Sequence, residues 1–430
     1  MKYELLIIVI FYVLTQLADF ILEYMNRRYL EKHGAEIPPE FEGVITPALM
    51  ERSKNYTIAK TKFWGYSTVY NQLITLIFIF GILNYYNNYL FDSFNSFKNT
   101  SNFILGGLVF MMLLTYAKTF LNLPLNLYRV FNLEKRFGFN TMTFKLWLLD
   151  ILKGFVVSTI LLSIMIVGAF WLIERLPDIW WLPVWGFFVV FTIFVIYISP
   201  YVLEPLFNKF TPIEDKSLER EIESVLEKGG ITVRGVYRMD ASKRTKHSNA
   251  YFTGIGRVKR IVLFDTLLER LTKEEILAVL AHEAGHCKKR HVLKNLIIFE
   301  TLTAPGAFIA FLLLEKSNWL TQVFGLTHDT FFAKFILLSF VATIVLWGMP
   351  PFFNAISRHF EKQADKFVVR IIGSGEALAS ALVKLSAENL SNIHPQKLYA
   401  KFHYSHPPLL QRIRYLKRFQ AAAETKKSSD

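Results

Sequence analysis

Long apolar stretches separated by polar segments dominate the pattern of hydrophobic and polar positions along this chain. A helix that crosses a bilayer needs about 20 predominantly apolar residues. Seven stretches meet this requirement: 5–25, 66–86, 103–123, 155–173, 180–203, 293–314 and 331–353. The pattern therefore predicts seven transmembrane helices. We interpret the first as a retained span, because its apolar run is longer than that of a signal peptide and lacks a clear small-residue cleavage site.

The composition agrees with a polytopic membrane protein. Of the 430 residues, 52% are hydrophobic and only 20% are charged, whereas soluble domains average about 25% charged. The net charge of +14 does not require nucleic acid as a partner, because the basic residues lie between the apolar runs. Cys287 is the only cysteine, which excludes an intrachain disulfide and a cysteine-based structural zinc site.

Basic residues are concentrated in alternate connections between the predicted spans. The connections before the second and fourth spans are rich in Lys and Arg, whereas the second, fourth and last connections contain only Lys98, Arg175 and Lys316, respectively. Since positive charge favours the cytoplasmic side, we predict an N-terminus outside the cell or in the lumen and a cytoplasmic C-terminus. The membrane is expected to be a bacterial inner membrane or the endoplasmic reticulum.

Two polar regions interrupt the membrane pattern, and both fall on the predicted cytoplasmic side. The first is predicted to contain a helix at 216–229, strands at 231–239, 249–252 and 258–264, and a second helix. The expected division is 1–203 (spans one to five), 204–292 (cytoplasmic insert), 293–353 (spans six and seven), 354–420 (cytoplasmic C-terminal region) and 421–430 (disordered tail). The fold class is thus an all-α membrane protein with a small α+β cytoplasmic domain.

The segment VLAHEAGHCK at 279–288 carries the candidate chemistry. Thr272 and Glu275 have capping-box spacing, which predicts a helix start near residue 273. Residues four apart share a helix face, so His282 and His286 can bind one ion, while Glu283, about 100° further round, can act on a water beside it. The alternative is an ordinary amphipathic helix with two half-exposed histidines.

Gly285 lies between the two histidines, where glycine costs about 1 kcal/mol relative to alanine in a helix interior. A helix selected only for stability would not favour it. We therefore predict that another backbone, or a substrate, approaches the helix closely at this point.

A catalytic zinc site needs a third protein ligand. The candidates are His291, His359, Glu361 and Asp365, and His291 is expected to point elsewhere on the helix. The segment SRHFEKQADKFVV is predicted to be helical, with Glu361 and Asp365 on one face. Glu361 would then bind the ion and Asp365 would fix the tautomer of a ligand imidazole. The alternative is a solvated acidic face.

Four motifs, HSNAYFTG, HEAGH, SRHFEKQAD and FHYSHPPLLQR, resemble in this order those of the type I CAAX prenyl endopeptidases, integral-membrane zinc proteases that process prenylated C-termini. The resemblance implies a ring of seven helices around a large chamber and a peptide or protein substrate, either lipidated or bare. It implies one Zn²⁺ bound by His282, His286 and Glu361, catalytic roles for Glu283, Asp365 and His406, and substrate binding by Asn249, Ala250, Tyr251 and Arg412.

The later motifs also make chemical sense by themselves. A strand at 249–252 can hold a peptide through main-chain hydrogen bonds, and His406 can donate to a developing oxyanion. Arg412 can grip a carboxylate such as the C-terminus of a product. Read without the resemblance, His406 only ends a turn before two prolines, and Arg412 is one more surface cation.

Two rival functions stay open at this point. One is a quality-control metalloprotease for damaged membrane proteins, with no preference for prenyl groups. The other is a transporter or channel, whose motifs are expected near the bilayer midplane on broken helices. The motifs of this chain lie instead on segments predicted to be cytoplasmic, which favours a protease.

Overall fold

The computed structural model describes residues 3–253 and 259–427 of the chain. Within these residues, seven helical columns are long and apolar enough to cross a membrane, judged by length and composition. They are Tyr3–His33, Pro47–Ser93, Thr100–Glu134, Phe144–Arg175, Trp181–Phe207, His291–Glu315 and Phe331–Ile372. Each corresponds to one of the predicted spans, so the predicted number of spans is confirmed.

The first five columns are built from seven helices. These are α1 (Tyr3–His33), α2 (Pro47–Ile77), α3 (Leu83–Ser93), α4 (Thr100–Tyr128), α5 (Phe144–Arg175), α6 (Trp181–Ile198) and α7 (Glu204–Phe207). Wider π-helical turns at Phe78–Ile82, Arg129–Glu134 and Ser199–Leu203 connect or extend them. Short 3₁₀ turns lie at Pro39–Phe41 and Asn95–Phe97.

Several columns continue far beyond the predicted spans. The second has 47 residues, which is about 70 Å at 1.5 Å per residue and more than twice the thickness of the hydrocarbon core. Its start is fixed by the hydroxyl of Thr46, which accepts a hydrogen bond from the backbone N–H of Leu49 at 3.2 Å. Arg52 and Lys60, which the sequence assigns to a connection, therefore lie on a helix.

Aromatic side chains form much of the apolar core between the helices. Phe110 and Phe332 are fully buried, and the ring of Phe332 lies 5.1 Å from that of Phe170 and 5.7 Å from that of Phe110. Large apolar side chains on other columns, such as Val190 and Ile297, are exposed. Such an extended apolar exterior is the surface that a bilayer covers.

The remaining elements follow in chain order. They are β1 (Phe210–Pro212), α8 (Lys216–Lys228), β2 (Val233–Met239), β3 (Ala250–Thr253), β4 (Lys259–Phe264), α9 (Asp265–Leu268), α10 (Lys273–Lys288), α11 (His291–Glu315), α12 (Trp319–Phe324), α13 (Phe331–Val345), α14 (Met349–Ile372), α15 (Glu376–Glu388), α16 (Lys397–His403) and α17 (Leu409–Lys427). Short 3₁₀ turns occur at Ala241–Lys243 and Leu346–Gly348.

The four strands form one sheet in the order β1-β2-β4-β3. β2 and β4 are parallel, whereas β1 and β3 are antiparallel to their neighbours. Buried Leu226 of α8, Leu263 of β4 and Leu280 of α10 belong to one apolar core. The predicted helix and three strands are present, although residue 258 lies outside the described residues, and β1 is an addition. The predicted fold class is therefore confirmed.

Helix α17 continues to Lys427 and so includes most of the segment 421–430, for which the sequence predicts disorder. The run AAAETKK consists almost entirely of good helix formers, which explains why the helix extends into it. Residues 428–430 lie outside the described part of the chain.

Candidate active site

Helix α10 begins where the sequence predicts. The hydroxyl of Thr272 accepts a hydrogen bond from the N–H of Glu275, and the carboxylate of Glu275 accepts one from the N–H of Thr272 at 2.9 Å. The same carboxylate accepts hydrogen bonds from Ser380 at 2.7 Å and Lys384 at 2.9 Å, both on α15. The start of the helix that carries the histidines is thus attached to the C-terminal region.

Helices α10 and α14 meet at Gly285, as the sequence led us to expect. A Cβ atom on Gly285 would lie 3.0 Å from the Cα of Ala364 and 3.1 Å from the Cβ of Phe367. These separations are shorter than ordinary van der Waals contact, so any larger residue would force the helices apart. The missing side chain therefore lets α14 bring its carboxylates up to the histidines.

Three side chains from these two helices converge. His286 Nε2 lies 3.2 Å from His282 Nε2 and 3.2 Å from Glu361 Oε1, and His282 Nε2 lies 3.4 Å from Glu361 Oε2. A tetrahedral ion with bonds of about 2.0–2.1 Å holds its ligand atoms about 3.3–3.4 Å apart. Glu361 Oε2 is also buried without a hydrogen-bond partner. The donor set and its spacing fit a divalent metal ion.

Asp365 and Arg412 lie directly behind this cluster. The Asp365 carboxylate accepts a hydrogen bond from His282 Nδ1 at 2.9 Å, an arrangement that directs Nε2 of the imidazole toward the ion. Arg412 is buried and grips the same carboxylate with two nitrogens at 2.6 and 3.0 Å. A third nitrogen lies 3.4 Å from Glu361 Oε2. The carboxylate that we expected Arg412 to bind is therefore found within this chain.

Glu283 and His406 are the two further residues for which the sequence predicts catalytic roles. Glu283 follows the first ligand on α10, and its burial raises the pKa of its carboxyl above the ordinary value, while the nearby imidazoles act in the opposite direction. His406 Nε2 lies 3.2 Å from Glu361 Oε1, although its side chain is 60% exposed. The structure thus brings His406, which is far along the chain, to the open side of the cluster.

The predicted substrate strand is the edge of the sheet nearest to α10. Asn249 directly precedes β3, and its side-chain oxygen accepts a hydrogen bond from the N–H of Ala250 at 2.9 Å. The hydroxyl of Tyr251 donates to Glu204 at 2.7 Å. Because β3 pairs only with β4 among the strands of the described residues, its other edge can accept an extended peptide.

A cavity of about 650 Å³ opens beside the site. Lys60 and Trp64 of α2 line it together with Tyr404, His406 and Arg412. Its volume lies within the range of about 300–1,000 Å³ that is usual for ligand pockets.

Sequence reasoning missed the place of His291. We expected it to point elsewhere, but α10 ends at Lys288 and Arg290 adopts a left-handed conformation with φ 55°. The chain therefore turns, and His291 Nδ1 lies 3.1 Å from His286 Nδ1. The structure agrees with the exclusion of His291 from the ligand cluster, whose members are His282, His286 and Glu361. The segment CKKRH at 287–291 contains no glycine or asparagine that would have indicated the turn.

Comparison with known proteins agrees with this geometry. Residues 26–209 match a family model described as the CAAX prenyl protease N-terminal region with five membrane helices, and residues 212–420 match peptidase family M48. CAAX prenyl protease 1 of Saccharomyces cerevisiae is 32% identical over 90% of both chains. A homologue from Arabidopsis thaliana is 34% identical over 88% of this chain and 89% of its own. The crystal structure of Ste24p from S. mikatae superposes with a TM-score of 0.88, at 31% identity, over 97% of this chain and 99% of that one.

The fold and the site therefore define a multi-pass membrane metalloendopeptidase, an enzyme and not a transporter or channel. The chain belongs to peptidase family M48, in the group of the CAAX prenyl proteases, as the resemblance of its motifs implied.

Proposed function

We propose that the protein is a zinc-dependent endopeptidase that removes C-terminal residues from prenylated or similar peptides. One observation carries the proposal, namely the convergence of His282, His286 and Glu361, with Glu283 on the helix that carries both histidines. Two imidazoles and a carboxylate are the ligand set of catalytic zinc in many metalloproteases. The preference for a CAAX-type peptide comes from the names of the relatives.

In this mechanism, zinc would supply Lewis-acid polarisation of the scissile carbonyl. Glu283 acts as general base, taking a proton from the attacking water and passing it to the amine nitrogen of the leaving fragment. Burial raises the pKa of its carboxyl above the ordinary value, which makes the carboxylate a stronger base. His406, on the open side of the cluster, donates a hydrogen bond to the oxyanion that forms at the carbonyl.

Asp365 and Arg412 hold the site in the form that can bind metal. Asp365 accepts the Nδ1 proton of His282, which leaves Nε2 free as a ligand. Arg412 fixes Asp365 and offsets its charge and that of Glu361. We therefore assign Arg412 first to positioning, with contact to the substrate through the cavity that it lines.

The peptide would lie along the free edge of β3. Main-chain groups of alternate strand residues face outward, and the carbonyl of Asn249 already accepts a hydrogen bond from the N–H of Phe264. Ala250 would therefore offer main-chain hydrogen bonds to the peptide, with Asn249 and Tyr251 flanking it, without demanding a particular sequence. The cavity lined by Lys60 and His406 would take the part of the substrate on one side of the scissile bond. Arg52, Lys60 and Lys62 on α2 are basic, which favours a site on the cytoplasmic side of the membrane.

Glu283→Gln separates chemistry from metal binding. Loss of the base is expected to reduce peptide hydrolysis by at least about 100-fold, while the zinc content of the purified protein stays at the wild-type level. The control is His282→Ala, which should lose both zinc and activity. Hydrolysis by Glu283→Gln at the parent rate would exclude the assigned role.

The substrate is tested with a farnesylated peptide and its unprenylated twin. A higher kcat/KM for the farnesylated peptide is expected, with chelation abolishing hydrolysis and added zinc restoring it. Equal rates for the two peptides would instead favour the quality-control protease, which shares the same metal site.

A further inference from the structure

The two ligand histidines differ in what lies behind them. His282 is held by a carboxylate, Asp365, whereas the Nδ1 atom of His286 faces Nδ1 of a second imidazole, His291, at 3.1 Å. The far nitrogen of His291, Nε2, lies 3.1 Å from the side-chain oxygen of Gln363. Four groups thus form a chain that leads away from the metal site: His286, His291, Gln363 and His359.

The hydrogen-bonded series from His286 to His359 has one consistent arrangement of protons. A metal ligand nitrogen must be bare, so if His286 binds through Nε2 its proton is on Nδ1. His291 Nδ1 must then accept a hydrogen bond from His286 Nδ1, which places the proton of His291 on Nε2, from where it donates a hydrogen bond to Gln363 Oε1. The Gln363 amide is oriented accordingly, since its NH₂ group lies 2.8 Å from His359 Nε2 and can donate to it.

The position of His291 is tightly constrained. The residue is only 2% exposed, and its ring stacks on Phe360 with 4.2 Å between centroids and 6° between planes. It reaches this position because Arg290 adopts a left-handed conformation that arginine rarely takes. A strained backbone of this kind persists where the surrounding structure requires it, often near functional sites.

We propose that His291 and Gln363 are positioning residues that hold His286 in the tautomer whose Nε2 is free to bind metal. They are the neutral counterpart of Asp365, and they orient the ligand without adding another negative charge beside Glu283 and Glu361. This inference rests on the metal site of the proposed function.

The test measures the zinc dissociation constant of purified full-length protein by competition with a chromogenic chelator. His291→Phe retains a ring that stacks on Phe360 but removes the acceptor, and zinc affinity should fall about 10–100-fold, as for other partners of ligand histidines. His291→Asn places an amide oxygen near the position of Nδ1, and its affinity should stay within about threefold of wild type. Rescue by Asn distinguishes a hydrogen-bonding role from mere packing.

Two variants of Gln363 test the same role in case a His291 variant fails to fold. Gln363→Glu keeps an acceptor for His291, although it adds a charge, and should bind zinc more tightly than Gln363→Leu, which removes the acceptor and should weaken binding. Wild-type affinity in His291→Phe and Gln363→Leu, or equal losses in His291→Phe and His291→Asn, would overturn the positioning role alone. Failure of the wild-type protein to bind zinc would instead overturn the proposed function.

Discussion

Replacing Gly285 by alanine adds one methyl group at the contact between α10 and α14. Alanine is favoured over glycine by about 1 kcal/mol in a helix interior. The new Cβ would, however, lie 3.0 Å from the Cα of Ala364 and 3.1 Å from the Cβ of Phe367, and overpacking of this kind costs about 1–3 kcal/mol. The net effect on the free energy of unfolding is therefore a loss of up to about 2 kcal/mol.

The metal site should be affected more than stability. To relieve the contact, the helices must separate by a few tenths of an ångström, and this moves Glu361 away from His282 and His286. Metal sites tolerate only about 0.2 Å of error in ligand distances. We expect zinc affinity to fall about tenfold or more, which corresponds to at least about 1.4 kcal/mol.

The assay compares the zinc dissociation constant, the melting temperature in detergent and the rate of peptide hydrolysis. Gly154→Ala on α5 is the matched control, because a Cβ there meets no heavy atom within 4 Å. The control should keep wild-type zinc affinity. If Gly285→Ala also binds zinc as wild type does and melts at or above the wild-type temperature, the metal site does not depend on the close approach of α10 and α14 at Gly285.

Glu275 and Arg412 give two further predictions. Although burial acts in the opposite direction, hydrogen bonds from Lys384 and Ser380 hold the pKa of the Glu275 carboxyl below its ordinary 4.5. Its stabilisation is therefore fully present above pH 4.5 and lost as the pH falls through the lower folded-state pKa. The melting temperatures of wild type and Glu275→Gln should therefore differ at pH 7, and the difference should shrink as the pH is lowered from 4.5; a difference that stays the same throughout would contradict this. Arg412→Met leaves the buried carboxylates of Asp365 and Glu361 without their cation, which should cost about 3–5 kcal/mol of stability, whereas an unchanged unfolding midpoint in denaturant would show that the pair is not coupled in this way.

The sequence predicts those features that depend on local spacing. The capping box at Thr272 and Glu275, the helix that aligns His282 with His286, and the seven apolar columns all follow from neighbours within a few residues. The sequence also predicts the close approach of another backbone at Gly285. Glycine lowers the stability of a helix interior, so a tertiary contact must offset that loss.

The features that the sequence does not predict depend on distant contacts or on unusual backbone. Nothing near Arg412 indicates that its guanidinium binds Asp365, because the two meet only when α14 and α17 pack together. The turn at Arg290 uses a conformation that favours glycine, without a glycine to indicate it. Strand β1 has only three residues, too few for an alternating pattern to be recognised.

The two helices that carry the ligands are joined to the last two membrane columns. His286 lies just before α11, and Glu361 lies within the column that begins at Phe331. An ion shared by these side chains closes a loop that contains both of these columns, as a covalent cross-link would. Such a closure lowers the conformational entropy of the unfolded chain and so stabilises the native state. The metal would therefore stabilise one end of the membrane bundle in addition to its role in hydrolysis.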